Sequence, residues 1–279
     1  MFDAFEPSFM QRALVGGLLA VVATSLVGIW VVLRGLSFLG DALAHGVIPG
    51  IALAVLWGFN PIVGALAAAS VMGGLVSLVT SRSQIREDTG IGLLFVGMLS
   101  LGVVIVSKAR SFATEVTALL FGDILGVSQS DINGQLVGVA VVAVASIILY
   151  RPFLALTFNG LKARSLGMRP GAAHLLMLVL LAVSIVTSFK TVGTLLVFGL
   201  LVGPPATAGL VTHRVPLMML LSMLFGAMAV VIGLTVSFHA GTAGGATMAG
   251  LSVVQFFAVF LIVELVKVVR QHRHTRAAG

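Results

Sequence analysis

Long apolar runs constrain the fold of this chain more than any other feature of its sequence. A helix needs about 20 apolar residues to cross a hydrocarbon layer about 30 Å thick. Because lipid cannot hydrogen-bond to a backbone, only helices and closed barrels span it. These runs are unbroken, whereas barrel strands alternate in polarity, so we predict an all-α, polytopic membrane bundle. The candidate spans are 13–33, 36–58, 61–80, 91–107, 132–150, 172–189, 193–212, 216–238 and 250–268.

The composition excludes a soluble protein. Of the 279 residues, 59% are hydrophobic and only 9% are charged, against about 25% charged in soluble domains. We therefore expect residues 1–279 to form a single transmembrane domain of eight or nine helices, eight if one short segment is re-entrant. The chain has no cysteine, which excludes disulfides and thiolate metal sites.

The basic residues predict the orientation of the chain. Lysine and arginine gather in cytoplasmic loops of membrane proteins. Placing residues 151–171 in the cytoplasm puts 12 basic residues inside and 4 outside, with the N-terminus outside and the C-terminus inside. The basic residues that set the orientation also account for the net charge of +7. Proteins that bind single-stranded nucleic acid interleave basic and aromatic residues, and this chain has no such run. We therefore expect membrane lipid and no nucleic acid as a partner.

Asp41 and His45 are ionisable residues inside the second apolar run. Their spacing puts both side chains on one helix face, about 6 Å apart along the axis. A charged side chain at the bilayer centre costs about 2.5–3.5 kcal/mol on insertion scales, so such residues face an interior cavity and are usually functional. The pair suits Zn²⁺ or Mn²⁺, or alternatively forms a neutral hydrogen-bonded link between two spans. Glycines and Pro49 around the pair predict that the helix is distorted there and that a neighbouring helix packs close to it.

His239 stands at the outer end of the eighth run, before a glycine-rich segment. It is either an interfacial residue or a metal ligand. Because glycine costs about 1 kcal/mol relative to alanine inside a helix, we expect residues 239–249 not to form a regular helix. Glu264 and Lys267 are spaced for an ion pair at a helix end.

Motifs of enzymes are absent from the sequence. There is no phosphate-binding G-x-x-x-x-G-K-S/T loop, so this chain does not bind ATP by that means. There is also no H-E-x-x-H or G-x-S-x-G motif. An intramembrane metal enzyme using Asp41 and His45 is disfavoured because a third strong ligand and a general base are lacking. We therefore expect no catalytic residue and no bound cofactor.

Five motifs follow one another along most of the chain. They are VLR with GDALAHGVIPG (32–34 and 40–50), REDTGIG (86–92), LFGDIL (120–125), VGTLLV with LLVGPPATA (192–197 and 200–208), and GAT (245–247). In this order they resemble the permease subunits of ABC importers for manganese, zinc and iron. The resemblance implies a non-enzymatic transport subunit in a bacterial inner membrane, with ATP hydrolysis on a separate subunit.

The resemblance also implies partners and a cargo. The partners are a second permease copy, expected to form a homodimer, two ATP-binding subunits and an extracytoplasmic metal-binding protein. The transported ion is Zn²⁺ or Mn²⁺, held by Asp41, His45 and His239. In this family an aromatic residue is common where this chain has His239, and the added imidazole favours zinc. The alternative is an iron-chelate or cobalamin permease, which would not need an intramembrane carboxylate and imidazole.

Residues 158–167 are similar to the short coupling helix by which such permeases contact the ATPase. This segment lies in the largest and most basic predicted cytoplasmic loop. Asn159 and Leu161 stand where acidic residues are usual in such permeases. We expect these differences to affect which ATPase binds to the segment and not to affect the fold. The residues expected to contact the ATPase are Phe158, Asn159, Leu161, Ala163, Arg164 and Gly167.

The predicted orientation can be tested by labelling, because the chain contains no cysteine. Three spans separate Ser165 from Thr242, so we expect Ser165→Cys and Thr242→Cys to react with an impermeant maleimide from opposite sides of the membrane. Reaction of both from the same side would contradict the number of spans between them.

Overall fold

The computed structural model describes residues 6–82, 87–107, 126–158 and 169–277. Within these ranges the chain forms eleven α-helices and no strand. The helices are α1 (Ser8–Leu33), α2 (Ser37–Gly46), α3 (Ile48–Trp57), α4 (Pro61–Arg82), α5 (Glu87–Val106), α6 (Gln129–Ile148), α7 (Tyr150–Phe158), α8 (Pro170–Val192), α9 (Thr194–Val211), α10 (Val215–Ala240) and α11 (Gly244–Ala277).

The predicted all-α membrane bundle is confirmed. In the described part of the chain, nine stretches are long and apolar enough to cross a membrane, and each overlaps one of the predicted spans. Helices α2 and α3 together form one of these stretches, Ser37–Trp57. Helix α7 has nine residues and is therefore too short to cross.

Helix α1 lies at the centre of the bundle. It packs against α6, α8, α9 and α10, and its middle residues are almost fully buried. Helices α5 and α11 lie at the periphery, where apolar side chains such as Leu93, Val254 and Leu265 are exposed. Exposed apolar side chains on the outer helices are what a lipid-facing surface requires, because lipid tails solvate them.

Glycines allow several helices to approach at backbone distance. A Cβ atom added to Gly50 of α3 would lie 2.1 Å from the carbonyl oxygen of Gly64 in α4. A Cβ at Gly28 of α1 would lie 2.1 Å from the carbonyl oxygen of Leu201 in α9. Small residues at helix contacts are typical of membrane bundles, in which close van der Waals packing drives association.

The glycine-rich segment 239–249 is more helical than the sequence predicted. Helix α10 continues to Ala240, Gly241 caps it with a positive φ of 64°, and α11 begins at Gly244. The expectation of an irregular segment is therefore wrong except at residues 241–243. Packing explains the difference, because Met248 is fully buried and lies so close to Gly233 that a Cβ there would meet its Cγ at 2.5 Å. Such tertiary packing outweighs glycine's intrinsic cost.

The contact between α3 and α4 makes a prediction about stability. Gly50→Ala introduces a methyl group against backbone, so we expect it to destabilise the protein by about 1–3 kcal/mol, as overpacking does. Gly74→Ala in α4 is the matched control, because a Cβ at Gly74 has no neighbour within 4 Å. Thermal unfolding in detergent should show a lower midpoint for Gly50→Ala alone. Equal midpoints for the two variants would contradict the close contact.

Candidate metal-binding site

The second membrane stretch is interrupted near its middle. Helix α2 ends at Gly46, Val47 connects it to α3, and Pro49 lies in the first turn of α3. Proline has no N–H group and its ring crowds the preceding turn, so it favours a kink or a break in a helix. The predicted distortion is confirmed by the end of α2 at Gly46 and the start of α3 at Ile48.

Asp41 and His45 lie on one face of α2, as their spacing predicted. The Nδ1 atom of His45 is 3.9 Å from Oδ1 of Asp41, and the two side chains are 24% and 29% exposed respectively. Two ligands that each lie about 2.1 Å from one ion can be up to about 4 Å apart. The observed separation therefore lets both side chains contact the same ion.

The pair does not act as a link between two helices. Asp41 and His45 belong to the same helix, and their separation of 3.9 Å is too long for a hydrogen bond. The Nδ1 atom of His45 is buried and has no hydrogen-bond partner among the described residues. A buried polar atom without a partner is costly, and an ion held between Asp41 and His45 would supply the missing interaction.

Apolar side chains hold α2 on several sides. The ring of Phe95 in α5 lies 5.9 Å from the His45 ring and 5.7 Å from the Phe38 ring. Gly40 faces Leu201, and Gly46 faces the sulfur of Met72, at distances that leave no room for a Cβ atom. This packing fixes the position of the Asp41 and His45 backbone. It also lowers the dielectric around them, which strengthens their attraction for a cation.

His239 is placed away from this pair. It lies exposed in the last turn of α10, where its Nδ1 atom is 2.8 Å from the carbonyl oxygen of Thr235. Because a carbonyl only accepts, Nδ1 donates, and Nε2 is the ring nitrogen that could face a metal, an arrangement typical of metal-binding histidines. No group of three or more His, Cys, Asp or Glu side chains suited to a metal occurs in the described residues. His239 therefore does not cluster with Asp41 and His45, and its role stays a prediction.

Other predicted features have mixed outcomes. The Glu264–Lys267 ion pair is confirmed, with a separation of 2.6 Å between exposed side chains. Phe158 is the last residue of α7, which ends where the predicted coupling segment begins. The remaining predicted ATPase contacts lie outside the described residues, and these are Asn159, Leu161, Ala163, Arg164 and Gly167.

The structure also brings together two residues that the sequence did not connect. Arg34 is one of the 12 basic residues predicted on the cytoplasmic side, and His174 lies near the start of the predicted span 172–189. A guanidinium nitrogen of Arg34 lies 2.6 Å from Nδ1 of His174 in the half-buried region between α1 and α8. Neither spacing nor a motif indicates this contact, because the residues are far apart in the chain.

The chain is similar to known proteins over most of its length. A family model described as "ABC 3 transport family" matches residues 6–263. The manganese import system permease protein ScaB of Streptococcus parasanguinis is 37% identical over 255 residues, covering 91% of this chain and 90% of that protein. The manganese transport system membrane protein MntC of Listeria monocytogenes is 34% identical over 257 residues, with 91% and 90% coverage.

A solved structure is similar over nearly the whole fold. PsaBC from Streptococcus pneumoniae in complex with Fab matches with a TM-score of 0.83 and 31% identity. The match covers 91% of this chain and 92% of that chain. The similarity therefore includes the arrangement of the spans and not only isolated motifs.

Proposed function

This chain belongs to the ABC 3 transport family, and we propose that manganese is the ion that it carries into the cell. It is a metal-importing permease subunit, and ATP is hydrolysed on a separate subunit. The observation that carries the proposal is the Asp41–His45 pair, whose 3.9 Å separation places a carboxylate and an imidazole at one point inside a membrane span.

The choice of manganese over zinc rests on two observations. The sequence favoured zinc because His239 added a second imidazole, but His239 does not cluster with Asp41 and His45. The remaining pair combines one imidazole with one carboxylate, and carboxylates suit manganese well. The relatives ScaB and MntC are both named for manganese, which supports the same ion.

The site is suited to transport rather than to storage. An ion that leaves water for a low-dielectric interior needs a compensating charge, and Asp41 supplies a negative one. Two protein ligands from one chain leave several positions on the ion open for water or for a second permease copy. Weak, incomplete coordination allows release, since conduction requires a site that an ion can both enter and leave.

The rest of the assembly follows from the family. We propose a homodimer of this chain in a bacterial inner membrane, with the C-terminus in the cytoplasm. Two ATP-binding subunits would contact residues 158–167, and an extracytoplasmic protein would deliver manganese from the other side. ATP binding would draw the two ATPases together and so switch the side of the membrane to which Asp41 and His45 are accessible.

Removal of either ligand tests the site directly. Asp41→Asn keeps the size of the side chain and removes its charge, whereas His45→Ala removes the imidazole. We expect each change to lower manganese uptake into vesicles that hold the reconstituted importer by about tenfold or more. Mutation of a residue that only hydrogen-bonds to a metal ligand already lowers metal affinity or activity about 10–100-fold, and loss of the ligand itself should lower it at least as much.

The control for these variants is Glu264→Gln, which removes an exposed carboxylate of the same chain and should leave uptake unchanged. Yield and thermal midpoint in detergent show whether each variant folds. Normal uptake by well-folded Asp41→Asn and His45→Ala proteins would exclude the site.

His239→Phe tests whether the outer histidine takes part. The variant restores the aromatic residue that is usual in the family and removes an exposed imidazole. We expect manganese uptake to stay within about twofold of the unmodified protein, and zinc uptake to fall more, since imidazole favours zinc. A loss of manganese uptake as large as that of His45→Ala would instead make His239 an essential ligand.

The proposed contact with the ATPase makes a further prediction. A bulky residue at Ala163 or Gly167 should disturb the contact, so we expect ATP hydrolysis no longer to depend on transport while the permease still folds. ATPase activity of the reconstituted complex, measured with and without manganese-loaded binding protein, checks this. Unchanged stimulation in both variants would place the contact elsewhere.

A further inference from the structure

The last turn of α1, residues 30–34, contacts both helices that flank residues 159–168. Trp30 is fully buried. Its ring packs edge-on against Tyr150 at 5.6 Å and against Phe153 at 5.7 Å, measured between ring centroids. Both partners belong to α7, the helix that leads into residues 159–168. The entry side of this segment is thus joined to α1 by aromatic packing.

Arg34 makes the corresponding contact on the exit side. Its Nη1 atom donates to Nδ1 of His174 at 2.6 Å and approaches the sulfur of Met177 at 3.9 Å. Both partners belong to the first turns of α8, which begins at Pro170. Since a guanidinium can only donate, His174 accepts through Nδ1 and carries its proton on Nε2. A hydrogen bond from a charged donor is shorter and stronger than one between neutral groups.

The same turn is joined tightly to the helix that carries the ion site. Only Gly35 and Leu36 separate Arg34 from α2, which begins at Ser37. The N–H group of Leu36 donates to the carbonyl oxygen of Val31 at 2.9 Å, and the Leu36 side chain is buried. Gly35 adopts a φ of 69°, a conformation that favours glycine. The end of α1 and the first turn of α2 are therefore joined by a short, hydrogen-bonded and buried connection.

We infer that residues 30–34 relay the movement of the ATPase-contacting segment to Asp41 and His45. The inference rests on the proposed function, because it takes residues 158–167 to meet the ATPase. Trp30, Arg34 and His174 are positioning residues, and none of them contacts the ion. Packed side chains transmit displacement because interiors are dense and poorly compressible. The Arg34–His174 hydrogen bond adds a polar contact that joins the end of α1 directly to α8.

A reporter on α2 separates this relay from transport itself. In this cysteine-free chain, Ser37→Cys places one thiol at the start of α2. The complex with its ATPase and binding protein is reconstituted in vesicles, and the rate of maleimide labelling is measured with and without ATP and Mg²⁺. We expect ATP to change the labelling rate in the reference protein. Arg34→Met or His174→Leu should reduce this change by about two- to thirtyfold, the range of mutations that modulate coupling, while ATP hydrolysis stays within about twofold.

Matched variants make the result specific. His213→Leu and Arg214→Met remove the same residue types from the exposed turn between α9 and α10, and should leave the ATP response intact. His174→Asn keeps an acceptor near the position of Nδ1 and should restore most of the response. Combining Arg34→Met with His174→Leu should have a smaller effect than the product of the two separate effects, because the two residues share one contact.

The outcomes are distinguishable. A normal ATP response in Arg34→Met and His174→Leu, or no response in the reference protein, would overturn the relay. An equal loss of ATP hydrolysis and of response in every variant, including His174→Asn, would overturn it too, because the pair would then only support folding or assembly. An intact response in a reference protein that takes up no manganese would support the relay and contradict the proposed function.

Discussion

Helices in a bilayer gain little from burying apolar side chains against one another, since lipid tails are equally apolar. Close packing has to hold this bundle together, and in this chain it depends on glycine. Gly28 admits the backbone of α9 against α1, and Gly50 and Gly64 bring α3 and α4 to backbone contact. Gly40 lets a leucine of α9 reach the surface of α2. The approach at Gly40 holds α2, the helix that carries Asp41 and His45, against α9 in the interior.

The site inside the bundle is a compromise between two costs. A carboxylate at membrane depth is unfavourable, and so is a divalent cation stripped of water. In the proposed site, Asp41 and His45 would lower both costs together, because the ion would neutralise the carboxylate and would receive two ligands. The break at Val47 and the packing of Phe95 against His45 keep the Asp41 and His45 side chains close together, at a separation too long for a hydrogen bond between them. The two side chains that we propose as ligands are thereby already positioned close together in this structure.

Much of this organisation could be predicted from the sequence because it depends on local patterns. Apolar length alone predicts the nine spans, helical spacing places Asp41 beside His45, and Pro49 indicates the break in the helix.

Local patterns failed where tertiary packing decides the structure. The propensity of glycine predicted an irregular segment at 239–249, but burial of Met248 against Gly233 extends α11 to Gly244. The pairing of Arg34 with His174 joins distant parts of the chain, and no spacing rule predicts such a contact. The sequence favoured zinc because of His239, and only the fold shows that His239 does not cluster with Asp41 and His45.

The proposed function depends on binding of the transported ion by one imidazole of α2, that of His45. Pulsed electron paramagnetic resonance of Mn²⁺ tests this directly, because a coordinated nitrogen couples to the electron spin. The sample is the permease with its ATPase, loaded with Mn²⁺ and without the binding protein. We expect a nitrogen coupling in the unmodified protein and in His239→Phe, and its loss in His45→Ala. A coupling that persists in His45→Ala, or that is absent from the unmodified protein, would contradict binding of the ion by His45.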